Sequence, residues 1–343
     1  MPGETIPPRD ALDTAALAAF LQRHGWPVEF RITQYAPGHS NLTYLLETPA
    51  GDAVLRCPPR GPLAPKAHDM AREARFLAAI HPHYPLAPRP LLICEDSSVW
   101  GFPFYLMERR PGVVLRAAGE PADQALRPRV AVSLVKALAE LHQVDVRDPA
   151  VAALGRPEGF LARQLAGWSS RWERVQTADA PAMANVQRWL AEHMPAPQPP
   201  VVLHNDFKID NVVLSSHDLG RVVAVLDWEM AALGDPMIDL GILLCYWPEP
   251  GDPPARRDSV CPVTAAPGWP SREELVHRYA LLTGRDVSAI AYYEVFGLFK
   301  LAVVLQQIYY RHSLGHTSDP RFAALGQRVH HLIACAGECT GRT

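Results

Sequence analysis

An apolar run, Val201-Val202-Leu203, ends in His204-Asn205-Asp206, and Asn211 follows Asp206 after four intervening residues. A second apolar run, Val222 to Leu226, delivers Asp227-Trp228-Glu229. These are the parts that phosphoryl transfer from ATP requires. One carboxylate, Asp206, would accept or orient the proton of an attacking hydroxyl. The amide oxygen of Asn211 and the carboxylate of Asp227 would hold Mg²⁺ on the nucleotide phosphates. Lysine is scarce, confined to Lys66, Lys136, Lys208 and Lys300. Lys208 therefore stands out two residues past the candidate base, where it would balance charge on the transferring phosphate. His-x-Asp alone is usually capping or polar core chemistry. The specificity comes from the joint pattern, with its two apolar lead-ins and the downstream Asp. His204 itself reads as a structural hydrogen-bonder for the loop.

Strand ends fix such side chains against a rigid core, so the surrounding elements matter. Asp13 to His24 reads as an amphipathic helix capped by Asp13. Asn41 to Thr48 and Ala53 to Cys57 read as strands joined by the turn Pro49-Ala50-Gly51-Asp52. Lys66 to Ile80 has helical period, and strands follow at Pro90 to Cys94 and Phe102 to Met107. Beyond Pro111-Gly112 the pattern turns helical: Arg129 to Gln143, Gly159 to Arg174, Met183 to His193, and most of the chain after Asp235. The two short strand-like runs of the motif interrupt it. The pattern predicts an α+β chain with a small β-rich lobe, residues 1–108, and a larger helical lobe, residues 109–343.

The chain has 343 residues, a net charge of −3, 48% hydrophobic and 20% charged residues, which excludes wholesale disorder. The charge balance argues against nucleic acid as a partner. No apolar run approaches the ~20 residues that span a bilayer, and no membrane partner is expected. The first residues lack the basic and apolar regions of a leader. The cysteines Cys57, Cys94, Cys245, Cys261, Cys335 and Cys339 show no framework spacing, which fits a reduced, cytoplasmic protein. His331, Cys335 and Cys339 fall at i, i+4, i+8 but have no evident fourth zinc ligand.

The segments His204 to Asn211 and Leu226-Asp227-Trp228-Glu229, with Gly234-Asp235-Pro236 and Asp239-Leu240, resemble the aminoglycoside phosphotransferase and choline kinase superfamily, which has a bilobal protein-kinase-like fold. Three further stretches are similar to the kinase-like domain associated with acyl-CoA dehydrogenases: Gly38 to Tyr44, Val54 to Pro59, and Tyr293 to Lys300. The resemblance runs from about Tyr35 to Arg321. It implies that Gly38, Ser40 and Asn41 belong to the loop over the ATP phosphates. It puts Arg56 where kinases carry a phosphate-pairing lysine, a departure that guanidinium chemistry tolerates with altered geometry. Glu73, on the next helix, would be its ion-pair partner. Backbone groups near Glu108 and Arg109 would meet the adenine edge, and Met107 would line the purine pocket or pack in the core. Asp235 reads as a helix cap before Pro236, and Asp210 and Asp239 as structural carboxylates bonding loop backbone.

The acceptor should be recognised in the helical lobe. Residues 246–286 mix acidic and basic side chains, unlike the anionic basin a polycationic drug needs. The resemblance favours a small hydroxyl-bearing metabolite as acceptor, a hydroxyacyl-CoA or related hydroxy acid, and a functional link to an acyl-CoA dehydrogenase. The alternatives are an aminoglycoside O-phosphotransferase and a non-catalytic nucleotide-binding protein of the same fold.

Overall fold

Alternating apolar residues in the first hundred positions build a sheet with two differently used faces. The structure, a computed structural model, describes residues 5–6, 8, 12–35, 41–59, 69–115, 123–257, 262–315 and 320–341. The chain divides into two units: Met1–Val114 with Asn211–Ala231, and Leu115–Asp210 with Ala232–Thr343.

The first unit carries strands β1 (Thr5–Ile6), β2 (Arg31–Tyr35), β3 (Leu42–Thr48), β4 (Gly51–Cys57), β5 (Pro90–Cys94) and β6 (Phe104–Glu108). They form an antiparallel sheet in the order β1-β2-β3-β4-β6-β5. Helices α1 (Thr14–Arg23), α2 (Met70–Ile80) and α3 (Ser97–Trp100) belong to the same unit. Asp13 caps α1 by accepting from the Ala16 N–H at 2.9 Å, as its position before the apolar stripe predicts. Leu17, Phe20 and Leu21 of α1 pack on Tyr44, Leu46, Leu55, Phe104 and Leu106. Side chains alternate along a strand, so Arg56 and its register partner Tyr105 occupy the opposite face of the sheet. Helix α2 packs against β5 and β6.

Helix α2 starts at Met70, later than the expected Lys66. Asp69 takes the cap position and accepts from the Arg72 N–H at 2.9 Å. An Asp satisfies unpaired first-turn amides better than it serves a helix interior. Lys66 lies outside the described residues.

The same unit includes the hairpin of β8 (Val212–Leu214) and β9 (Val222–Val225), with β7 (Val201–Leu203) of the second unit preceding it in sequence. The Val225 N–H donates to the Leu86 carbonyl at 2.8 Å. Past β9, buried Trp228 donates its indole N–H to the Val225 carbonyl at 2.8 Å and packs near Phe76 and Tyr84. The loop carrying Asp227 is thereby anchored beside α2.

The second unit contains α4 (Leu126–Leu141), α5 (Pro149–Ala152), α6 (Phe160–Arg174), α7 (Ala184–Glu192), α8 (Met237–Cys245), α9 (Pro254–Arg257), α10 (Arg272–Thr283), α11 (Ile290–Ser313) and α12 (Leu325–Thr340). Strand β7 pairs antiparallel with β10 (Ala232–Gly234). Pro128 falls in the first turn of α4, where its missing N–H costs nothing. The sequence places Asp235 as the cap of α8 with Pro236 in its first turn; instead Pro236 takes the cap position, and Asp235, one residue before it, accepts from the Met237 N–H at 2.9 Å. Helices α8 and α11 cross at Gly241 and Gly297. A Cβ on Gly241 would overlap the Tyr293 carbonyl, and one on Gly297 would lie 2.9 Å from the Gly241 carbonyl oxygen. This close approach fixes α11 against α8, and both helices carry groups that hold the loop after β7. Among the described residues, no helix is long and apolar enough to cross a membrane.

Candidate active site

In the second unit, β7 delivers His204, Asn205 and Asp206. Asn205 has φ +63°, a left-handed conformation that Asn tolerates better than most residues. The Asp239 carboxylate, buried on α8, accepts from the His204 N–H at 2.7 Å and the Asn205 N–H at 2.6 Å. This is the loop-bonding role the sequence suggested for Asp239. The Asp206 N–H donates to His204 Nδ1 at 3.2 Å, so the imidazole proton sits on Nε2 and His204 acts as a brace. Phe207 and Ile209 are buried and alternate with the polar residues of the loop.

Asp206 and Lys208 are brought together. Lys208 Nζ lies 2.9 Å from one Asp206 oxygen and 3.2 Å from the other, with side chains about one-fifth exposed (16% and 21%). Lys208 also stands over the Tyr246 ring, 4.6 Å from its centre. Burial disfavours its ammonium, but Tyr246, Asp206 and Asp210 outweigh that and hold its pKa well above the usual lysine value.

Asp239 also meets His142, whose Nε2 lies 3.2 Å from it while Nδ1 lies 2.7 Å from the Tyr279 hydroxyl. Burial is the main cause of a lowered His142 pKa, with Asp239 opposing it. Burial would raise Asp239, but its bonds to His142 and His204 hold it below the usual carboxylate range. Both groups therefore bind fewer protons folded than unfolded, so stability falls on acidification. The loss begins below a pH of about 6.5 for His142 and about 4 for Asp239. We expect the melting temperature to drop between pH 7.5 and 5, and His142→Gln to flatten that drop. An unchanged slope in the variant would rule out His142 as its source.

In the first unit, the Leu226 N–H donates to the Asn211 carbonyl at 2.8 Å, which sets Asn211 beside the Leu226-Asp227 step across the hairpin. Asp227 has φ +70° and turns the chain out of β9. Arg56 is buried and spans two carboxylates: NH1 lies 3.3 Å from Glu73 Oε1, and NH2 lies 2.8 Å from Asp227 Oδ1. Burial opposes the guanidinium charge, yet Glu73 and then Asp227 more than compensate and raise its pKa. Burial pushes Glu73 above the usual carboxylate value, with Arg56 pulling it back.

Two residues that sequence reasoning left aside complete this half. Glu229 accepts from Asn41 Nδ2 at 2.8 Å and lies 3.8 Å from Arg56 NH2. Arg72, read only as a flank of Glu73, donates to the Glu229 carbonyl at 3.2 Å and the Ala231 carbonyl at 2.5 Å. It clamps the turn that follows Asp227. No spacing rule links Arg72 to residues some 157 positions away.

Met107 is buried in β6, paired with Val54 and Pro90, so it packs in the core of the first unit. The Glu108 N–H donates to the Arg89 carbonyl at 2.9 Å. The Glu108 side chain accepts from the Arg89 N–H and pairs with Arg110, while Arg109 pairs with Asp52. Gly38 and Ser40 lie outside the described residues. Among the described residues, no group of three or more His, Cys, Asp or Glu could hold a metal ion, so His331, Cys335 and Cys339 do not form a zinc site. Asn211 and Asp227 offer hard oxygen donors, a sparse set of the kind Mg²⁺ uses when phosphates complete its shell.

Residues 31–275 match the model of the phosphotransferase enzyme family. The chain belongs to that family. A Ralstonia eutropha protein described as an aminoglycoside phosphotransferase is 29% identical, with a TM-score of 0.80 over 97% of this chain and 99% of its own. A macrolide 2'-phosphotransferase from Brachybacterium faecium, 23% identical with a TM-score of 0.59, covers 92% of this chain and 97% of its own. It shares the fold. Acyl-CoA dehydrogenase family member 11 of Mus musculus is 34% identical over 98% of this chain, and family member 10 of the same organism is 32% identical over 96%. This phosphotransferase-family chain spans 44% and 31% of those two relatives. Its kinase-like α+β fold is the one the sequence resemblance implied.

Proposed function

We propose that this protein transfers the γ-phosphoryl group of Mg-ATP to a hydroxyl of a small metabolite, with a hydroxyacyl-CoA or related hydroxy acid as the acceptor. The observation that carries this reading is the Glu73–Arg56–Asp227 chain of charges, buried at Glu73 and Arg56 and partly exposed at Asp227, with Asn211 beside Asp227 across the hairpin. In kinases a cation paired with a helix carboxylate positions the nucleotide phosphates, and a nearby loop carboxylate holds the metal. Bound Mg²⁺ would neutralise charge on the phosphates. Arg56 would bind the α- and β-phosphates, the loop of Gly38, Ser40 and Asn41 would cover them, and Asn211 and Asp227 would hold the metal. In the second unit, Asp206 would orient the acceptor hydroxyl and take its proton, and Lys208 would steady the developing charge.

The acceptor class is supported by two cations of the second unit, of which Lys208 lies beside Asp206. Lys208 sits over the Tyr246 ring, and Arg171 sits over the Trp168 ring at 4.4 Å. Cations on aromatic faces suit an anionic acceptor and disfavour a polycationic one. The functional link to an acyl-CoA dehydrogenase rests on the relatives in which this domain is part of a longer chain. The rival reading, an aminoglycoside O-phosphotransferase, is favoured by the description of the Ralstonia protein. Mg-ATP labelled in the γ-phosphate, offered with hydroxyacyl-CoA thioesters, free hydroxy acids and an aminoglycoside, separates the two. Label on a thioester or hydroxy acid is expected. Label on the aminoglycoside alone would replace this reading with its rival, and label on none would overturn the transfer itself.

A further inference from the structure

Lys300 has no part in the chemistry assigned above. It lies on α11, three residues past the Gly297 crossing, and its side chain is buried within the second unit at 6% exposure. Its ammonium donates to the Asn205 carbonyl at 2.5 Å and stands 5.6 Å from the centre of the Trp168 ring. Asn205 is the left-handed residue immediately before Asp206. Its N–H is held by Asp239 of α8, so its backbone is gripped on the N–H by one helix and on the carbonyl by another. The two helices are locked together by their glycine contact.

We propose that Lys300 is a positioning residue for phosphoryl transfer, which fixes the Asn205–Asp206 peptide and so aims the Asp206 carboxylate. This deepens the function proposed above and rests on it. A non-glycine residue in the left-handed region persists only where its surroundings over-determine it. Rotation of the Asn205–Asp206 peptide would swing the Asp206 side chain away from its place. A displacement of about 1 Å at a catalytic group costs on the order of 100-fold in rate.

A buried ammonium is an unfavourable choice for a purely structural brace. Burial brings the Lys300 pKa down to about 8, with Asp206 and Asp239 countering it and Lys208 and Arg171 reinforcing it. Cys245 of α8 also feels its charge. A group whose folded pKa lies below its unfolded value lowers fold stability at neutral pH. Methionine, of similar length and without charge, removes that unfavourable burial but also the donor to the Asn205 carbonyl, and the two effects oppose each other, so the fold should stay close to wild type in stability while the loop is released.

The test compares wild type, Lys300→Met and Lys300→Arg as the full chain. Three readouts are taken: melting temperature at pH 7, amide exchange by mass spectrometry, and ADP formation from Mg-ATP with a hydroxyacyl-CoA as acceptor. Lys300→Met is expected to melt within a few degrees of wild type and to exchange at least 10-fold faster only in peptides covering 203–207. Its kcat should fall 10- to 100-fold with the KM for ATP unchanged, and Lys300→Arg should recover part of both. Exchange and kcat within twofold of wild type in Lys300→Met would overturn the proposal. So would a lower melting temperature with faster exchange throughout the second unit, which would make Lys300 a structural residue. If wild type forms no ADP, the hydroxyacyl-CoA acceptor falls, and the kinetic comparison is made on the acceptor found by labelling. The exchange pattern still decides whether Lys300 holds the loop.

Discussion

Replacing Asp206 by asparagine is expected to lower kcat by about 100- to 10,000-fold, the usual contribution of a positioned general base. The KM for ATP should change little, because the groups assigned to the nucleotide lie in the first unit. Asparagine keeps the shape of the side chain but cannot take a proton. It also removes the negative partner of Lys208, now 2.9 Å away. The loop backbone should persist, since it is held by Asp239, His204 and Lys300 rather than by the Asp206 carboxylate. The measurement is steady-state kinetics on the acceptor identified by labelling. Turnover within tenfold of wild type would remove Asp206 from proton transfer.

The second large effect concerns stability. Arg56→Met should destabilise the first unit by about 3–5 kcal/mol at neutral pH, the range for breaking a buried ion pair on one side. Glu73 is 1% exposed and would be left without its main cationic partner. Its pKa, already raised by burial, would rise further. A carboxylate with a raised folded pKa contributes stability that is present at low pH and lost as pH rises through that value. The deficit of Arg56→Met should therefore shrink between pH 8 and pH 5. Adding Glu73→Gln should restore part of it, because an uncharged amide can stay buried. Denaturant unfolding of wild type, Arg56→Met and the double variant checks both statements. A deficit that is independent of pH and unrelieved by Glu73→Gln would mean that Glu73 is not the group left behind.

How much of this was legible in the sequence depended on range. The candidate catalytic loop could be read because its pattern is local: β7 ends, and His204, Asn205, Asp206, Lys208 and Asn211 follow within a few residues. The Arg56–Glu73 pair was legible only through the family resemblance, which put a cation on β4 and its carboxylate partner on the next helix, and the two side chains do meet. The clamps were not legible. Arg72 reaches the carbonyls past Asp227, and Lys300 reaches the Asn205 carbonyl 95 residues away. Each binds backbone, which leaves no signature in the partner's side chain. The scarcity of lysine was the one signal that could have singled out Lys300, as it did Lys208. The start of α2 was misplaced because period alone extends a helix through Asp69, whereas capping ends it there. Adenine contacts at Glu108 followed from resemblance, whereas the hydrogen bond from its N–H to the Arg89 carbonyl, 19 residues away, has no local signature.

The central claim is that Asp227 helps hold Mg²⁺ on a bound nucleotide, and thermal shift with ATP, with and without Mg²⁺, tests it most directly. Wild type should gain several degrees with Mg-ATP and much less with ATP and a chelator. Asp227→Ala should lose the magnesium-dependent part. No shift in wild type under either condition, or an equal magnesium-dependent shift in Asp227→Ala, would contradict the account.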